Sequence, residues 1–227
     1  MTVFLLKLIA VISMLIDHMG HVLFPEYIGL RYIGRLAFPI YAFLIVEGFL
    51  HTGNLRRYML RLFMCGIISE VPFDLAFYES LFYIKKQNTF WTLLLGLAAV
   101  FVMSLIRNEN RYARLALRLA AAAPFAVAAQ LINSDYRWVG VSLIACMYLF
   151  HDEEIFKVAS GLFLMMPPFT NGIEYVGALA FLPMHFYNGR KGGPGGAAGR
   201  VMQTAFYLFY PVHLLTLALI RDGLWSL

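Results

Sequence analysis

The chain has 227 residues, 61% hydrophobic and 14% charged, with a formal net charge of +5 and a mean hydropathy of +0.71. A soluble domain carries about a quarter charged residues, so this composition excludes a water-soluble globular enzyme. The basic excess sits in short turns between apolar runs, where the positive-inside rule explains it before nucleic acid does.

Apolar runs near the roughly 20 residues needed to cross a bilayer predict an all-α, polytopic membrane bundle, one domain over 1–227. About nine spans are expected, roughly 3–24, 28–50, 58–78, 89–106, 114–132, 137–151, 155–168, 173–187 and 202–221. The seventh is short and ends in Pro167-Pro168, so a re-entrant segment there would leave eight. The first is expected to stay as a helix, since Asp17 and His18 interrupt its apolar stretch and no small-residue cleavage site follows.

Taken at 100° per residue, the first span puts Ala10, Ser13, Met14, Asp17, His18 and His21 on one face. Leu8, Ile12, Leu15, Ile16, Met19 and Leu23 fall on the opposite, lipid-facing wall. Asp17 and His21 are four apart and can interact along the helix. At about 1.5 Å per residue, His18 lies roughly 9 Å, and Arg35 of span two roughly 10 Å, below the outer end of its span. Farther on, Glu47 and His51 are four apart and read as a local pair. In span three Glu70 and Asp74 lie roughly 12 and 6 Å below the outer surface, and His213 of span nine roughly 12 Å. Ionisable groups at membrane depth are expensive and are functional candidates by default. Four helices supplying them at one depth favour a site over simple interhelical bonding, which contributes only about 1 kcal/mol per contact.

Pro72 and Pro211 each free a backbone carbonyl and can kink their helices. Tyr207 and Tyr210 flank that second proline as interior hydrogen-bonders or as packing. Cys65 and Cys146 read as small buried residues without disulfide or metal-ligand spacing. Gly189-Arg190-Lys191-Gly192-Gly193-Pro194-Gly195-Gly196 reads as a mobile cationic loop. Arg56, Arg57 and Arg61, then Arg107, Arg111, Arg114 and Arg118, then Arg190, Lys191 and Arg200 fall on one side if the N-terminus is inside. Lys85 and Lys86 fall on the other side, against the trend.

Together these segments resemble the TraX family, whose namesake acetylates the N-terminus of conjugative pilin. The likeness rests on Asp17-His18 with Gly20, Gly34-Arg35-Leu36-Ala37-Phe38-Pro39 with Phe43 and Glu47-Gly48-Phe49, and Thr52 and Asn54 with Tyr58, Arg61 and Leu62. It continues through Glu70-Val71-Pro72-Phe73-Asp74, Tyr187-Asn188-Gly189-Arg190 and Phe206-Tyr207-Leu208-Phe209-Tyr210-Pro211-Val212-His213-Leu214, and so covers nearly the whole chain. The family looks like part of a wider group of transmembrane acyltransferases. The resemblance implies transfer of an acetyl group from cytoplasmic acetyl-CoA to an amine or hydroxyl, in the bacterial inner membrane, without a metal.

By resemblance the catalytic histidine falls on His18. An imidazole titrating near pH 6.5 can serve as general base at neutral pH, with Arg35 stabilising the oxyanion. Asp17 either orients a histidine or holds Arg35, and His213 is a second base or a partner to His18. Direct transfer and a route through an acetyl-histidine both stay open. Glu70, Asp74, Tyr207 and Tyr210 are expected on the acceptor side. Arg56, Arg57, Arg190, Lys191 and Arg200 are expected to meet the phosphates of acetyl-CoA at the inner surface. Pilin, an envelope glycan, a lipid headgroup or a small amine would each suit as acceptor. The same buried acids and histidines would also suit a proton-coupled transporter, or the chain could be a non-catalytic scaffold.

Overall fold

A computed structural model describes residues 1–167, 169–170 and 172–225, the side chains of 224 and 225 excepted. Pro168, at the expected end of the seventh span, lies outside the described residues. The described residues are helical almost throughout: α1 (Val3–Val22), α2 (Ile28–Gly34), α3 (Ala37–His51), α4 (Leu55–Tyr78), α5 (Thr89–Leu105), α6 (Arg111–Leu131), α7 (Arg137–Leu149), α8 (Glu154–Met165), a 3₁₀ turn (Glu174–Ala180), α9 (Phe181–His185) and α10 (Gly196–Trp225). Each of the nine expected spans corresponds to one of these helices or to a consecutive pair. α1, α2 with α3, α6 and α10 are long and apolar enough to cross a bilayer. The protein is a helical membrane protein. α8, with 12 residues, reaches only about 18 Å, short of the roughly 30 Å core of a bilayer.

Polar residues fix the helix starts. The Thr2 hydroxyl accepts from the Leu5 amide, the Asn88 side chain from the Phe90 amide, and Asn110 from the amides of Tyr112 and Ala113. Each satisfies donors that a first turn otherwise leaves unpaired. The second expected span is not one continuous helix. It breaks at Arg35 and Leu36, between α2 and α3, and the break carries the arginine.

The chain divides into two compact units, each assembled from separate stretches. The first comprises Met1–Ile40, Ile67–Ile84 and Val176–Leu227. There α1 packs against α2 and α10, with Leu6, Ala10 and Leu214 fully buried. Gly20 admits Leu30, and Gly34 sits directly against the Asp17 side chain where a Cβ would overlap it. Residues 186–191 are tied to the start of α1. The Val3 and Phe4 amides donate to the carbonyls of Arg190 (3.0 Å) and Lys191 (3.1 Å), and the Asn188 amide to the Met1 carbonyl (2.9 Å). The expected mobile cationic loop is therefore anchored at its basic end. It supplies the backbone acceptors that α1's first amides need, a requirement composition does not display.

The second unit comprises Tyr41–Gly66 and Lys85–Tyr175. α5, α6 and α7 pack mutually through Ala99, Met103, Ala122, Ala129, Val141 and Ala145. Gly96 lets Ile144 approach where a Cβ would clash. Small residues at contacts are how membrane helices reach close packing. Exposed apolar side chains such as Ile12, Leu131 and Leu219 face outward along the helices, the inverse of a soluble surface and suited to lipid.

Candidate intramembrane histidine site

The polar stripe of α1 points inward as its periodicity requires. Ser13, Met14, Asp17 and His18 are buried, whereas Ile12 is exposed. His21, one turn on, is exposed at the helix end. It meets the Arg31 guanidinium, which also holds Asp17.

Asp17 is held by two arginines of the α2 segment. Arg31 Nε donates to Asp17 Oδ1 (2.8 Å), and Arg35 donates from its Nη2 to Asp17 Oδ2. Arg35 Nε also donates to the Arg31 carbonyl (3.3 Å). Of the two roles open to Asp17, the structure places it on Arg35 and not on a histidine. Pairing of this kind makes charged groups tolerable inside a bilayer. Arg31 was not among the expected site residues. The available signal was its position four before Arg35, which puts both on one helical face.

His18 faces the other way, to α10. Its Nδ1 lies 2.6 Å from His213 Nε2. The rings are parallel within 1° with centroids 4.9 Å apart, which is the geometry of an in-plane bond between two imidazole edges. His213 Nδ1 in turn donates to the Phe209 carbonyl at 2.6 Å. Phe77 stands edge-on to both His18 (5.2 Å) and His21 (4.8 Å). Tyr210 stands edge-on to His18 (5.9 Å) and His213 (5.8 Å). The Nδ1 of His18 and both ring nitrogens of His213 are thus occupied by contacts within the protein.

The other expected residues divide. Tyr210 is buried beside the pair, and Tyr207 is half-buried one turn earlier. Asp74 is buried, but its Oδ2 accepts from the Tyr83 amide (2.7 Å), while its Oδ1 has no hydrogen-bond partner among the described residues. Glu70 is half-buried one turn before it on α4. Arg190, Lys191 and Arg200 are exposed in the first unit, and Arg56 and Arg57 are exposed in the second. Cys65 and Cys146 are free and half-buried.

A second polar cluster lies in the second unit. Glu47 is 4% exposed. Its Oε1 lies 2.7 Å from His151 Nε2, and the other nitrogen of that ring lies 2.9 Å from Asp152 Oδ1. Glu47 and His51 do meet locally, the His51 ring bonding the Glu47 carbonyl (2.9 Å). The carboxylate's shorter contact is nevertheless with the His151 ring, 2.7 Å against 3.6 Å for His51, a long-range partner that spacing alone could not name. A groove of about 420 Å³ between α6 and α7 is apolar, with Ala122, Ala126, Trp138 and Val141 in its wall. None of the expected site residues lines it. Among the described residues no His, Cys, Asp or Glu cluster is placed to hold a metal ion.

Comparison with known proteins adds family to geometry. The sequence model described as TraX protein matches residues 3–221. The chain is 32% identical over 239 residues to a probable fimbrial assembly protein, FimC of serogroup H1, from Dichelobacter nodosus, covering 93% of this chain and 92% of that one. A 77-residue stretch is 35% identical to an uncharacterized protein of Rickettsia prowazekii (strain Madrid E), covering 34% of this chain and 29% of the other. No solved structure matches. A family match over nearly the whole length, containing Asp17, His18, Arg35 and His213 alike, carries one conclusion: the chain belongs to the TraX family.

Proposed function

We propose that this protein is a membrane-embedded acetyltransferase serving pilus or fimbrial assembly. In this reading it moves the acetyl group of cytoplasmic acetyl-CoA to an amine or hydroxyl, with a pilin-type protein as the favoured acceptor. The name of the Dichelobacter relative and the family both support an assembly role. The observation that carries the chemistry is the buried His18, bonded through Nδ1 to His213 and set next in sequence to the Asp17–Arg35 ion pair.

In the proposed reaction His18 Nε2 removes the proton of the acceptor as its nitrogen or oxygen attacks the thioester carbonyl. Arg35, with its charge held by Asp17, stabilises the oxyanion in a dry site. The carbon–sulfur bond then breaks, and the imidazolium returns the proton to the departing thiolate. Arg190, Lys191 and Arg200 serve acetyl-CoA's phosphates at the membrane surface. The location that fits is the bacterial inner membrane with the N-terminus inside.

The test is transfer of labelled acetyl from acetyl-CoA by purified protein in detergent, offered an N-terminally free pilin-type peptide, a hydroxylated glycan and a small amine in parallel. Transfer to any acceptor by wild type, and its loss in His18→Gln, is expected. Transfer at the wild-type rate by a folded His18→Gln protein would exclude His18 as base. Neutralising Arg190 and Lys191 together is expected to raise the KM for acetyl-CoA without changing membrane insertion, and an unchanged KM would remove that loop from the donor site.

A further inference from the structure

We propose that His213 is a positioning residue that fixes the tautomer of His18 through a charge-neutral relay anchored on the Phe209 carbonyl. For its kinetic consequence alone, this rests on the acetyl-transfer reading.

The argument runs from the acceptor end. A backbone carbonyl can only accept, so His213 Nδ1, 2.6 Å from the Phe209 oxygen, must carry the hydrogen. No carboxylate among the described residues bonds either ring. An unpaired charge buried there would be costly, so both rings rest neutral. Neutral His213 then has a lone pair on Nε2. His18 Nδ1, 2.6 Å away and in the same plane, must donate to it. His18 is left with its lone pair on Nε2. A single carbonyl on α10 therefore determines which nitrogen of α1 is basic.

The usual device for this purpose is a carboxylate on the far nitrogen of the base, which also stabilises the imidazolium. Here the neighbouring carboxylate, Asp17, is engaged by Arg31 and Arg35, and an imidazole takes the orienting place. When His18 Nε2 gains the acceptor's proton, its Nδ1–H still points at His213 Nε2 and the cation is solvated by that lone pair. The proton leaves from Nε2 to the thiolate, so His213 is unchanged over the cycle. Tyr210 and Phe77, edge-on to His18, restrict ring rotation that would exchange the nitrogens.

Two measurements test the relay. The first is ¹⁵N magnetic resonance of histidine-labelled protein in detergent, which needs no activity. His18, identified by the signal lost in His18→Gln and by coupling to His213 across the N–H···N bond, is expected with hydrogen on Nδ1 and none on Nε2. A wild-type His18 with its hydrogen on Nε2 overturns the proposal, whatever the protein catalyses. The second compares His213→Leu with His213→Gln. Gln offers an oxygen to the His18 N–H, and Leu offers nothing. In Leu the kcat is expected to fall about tenfold to a hundredfold, part of the 10²–10⁴ worth of a general base, with little change in KM. Gln is expected to regain most of that loss and to keep the wild-type tautomer. Equal rates in Leu and wild type overturn the proposal, as does a Leu variant whose His18 keeps its Nδ1–H unmixed. If wild type transfers no acetyl group at all, the functional reading fails while the resonance result still decides the relay.

Discussion

At the level of single residues, the separation of roles between Asp17 and His18 is the informative result. Adjacent in sequence, they face different partners, one toward arginines and one toward a histidine. Arg35→Lys is therefore expected to cost more than its retained charge suggests, because an ammonium cannot both hold Asp17 and bond the Arg31 carbonyl in a fixed plane. A fall in kcat of about two orders of magnitude, with protein still inserted, is expected in the transfer assay. Gly34 is the steric counterpart. A side chain there meets Asp17, while one at Gly29 meets nothing within 4 Å. Gly34→Val is expected to destabilise by about 1–3 kcal/mol, and Gly29→Ala to be neutral or stabilising by up to about 1 kcal/mol. Thermal unfolding in detergent separates the two, and equal midpoints would refute the packing at Asp17. The inward face of α1 was legible from its 3.6-residue period. Which way each side chain on that face turned was not, because that depends on a helix some 195 residues away.

Among the helices, the instructive contact joins α3 to the turn between α7 and α8. Both ring nitrogens of His151 face carboxylate oxygens, and carboxylates only accept, so the contact favours the ring's doubly protonated, positively charged form. The Glu47 hydrogen bond raises the His151 pKa above 6.5 first of all, Asp152 adds to it, and partial burial opposes both. Because the folded value is the raised one, this contribution is fully present below pH 6.5 and is lost as pH rises through the folded pKa. The thermal midpoint is expected to fall as pH is raised from 6.5 toward 9, and His151→Gln is expected to remove that part of the slope. A wild-type midpoint that holds level over the range would refute it. Glu47 with His51 was the pair visible in the sequence, since four-residue spacing is local. His151 was invisible for the opposite reason, lying 104 positions from Glu47. The same asymmetry explains the loop at 189–196, whose glycines signalled flexibility and whose anchoring carbonyls carry no sequence signal.

For the molecule as a whole, the order of spans was readable because lipid imposes apolar length on each segment. The division into two discontinuous units was not, because it reflects contacts between distant stretches. Orientation is testable by labelling single cysteines after Cys65 and Cys146 are replaced by serine. Gly53→Cys and Glu109→Cys should react only with reagent admitted to the cytoplasm, and Phe82→Cys, 78% exposed, only with reagent outside. Ser134 is a poor reporter position, being fully buried and accepting a hydrogen bond from Thr92. A Phe82→Cys protein labelled only from the cytoplasm would invert the topology and the side to which the histidines belong.

The long reach of the His18–His213 bond bears on how the protein is made. Asp17 meets Arg31 and Arg35 within 18 residues, so the first hairpin is charge-compensated almost as soon as it leaves the ribosome. His213 follows His18 by 195 residues, a delay of roughly 10–40 s at 5–20 residues per second. Until α10 is synthesised His18 has no partner to settle its hydrogen. The first hairpin is therefore safe to insert early, whereas the His18–His213 bond can form only after α10 has been translated.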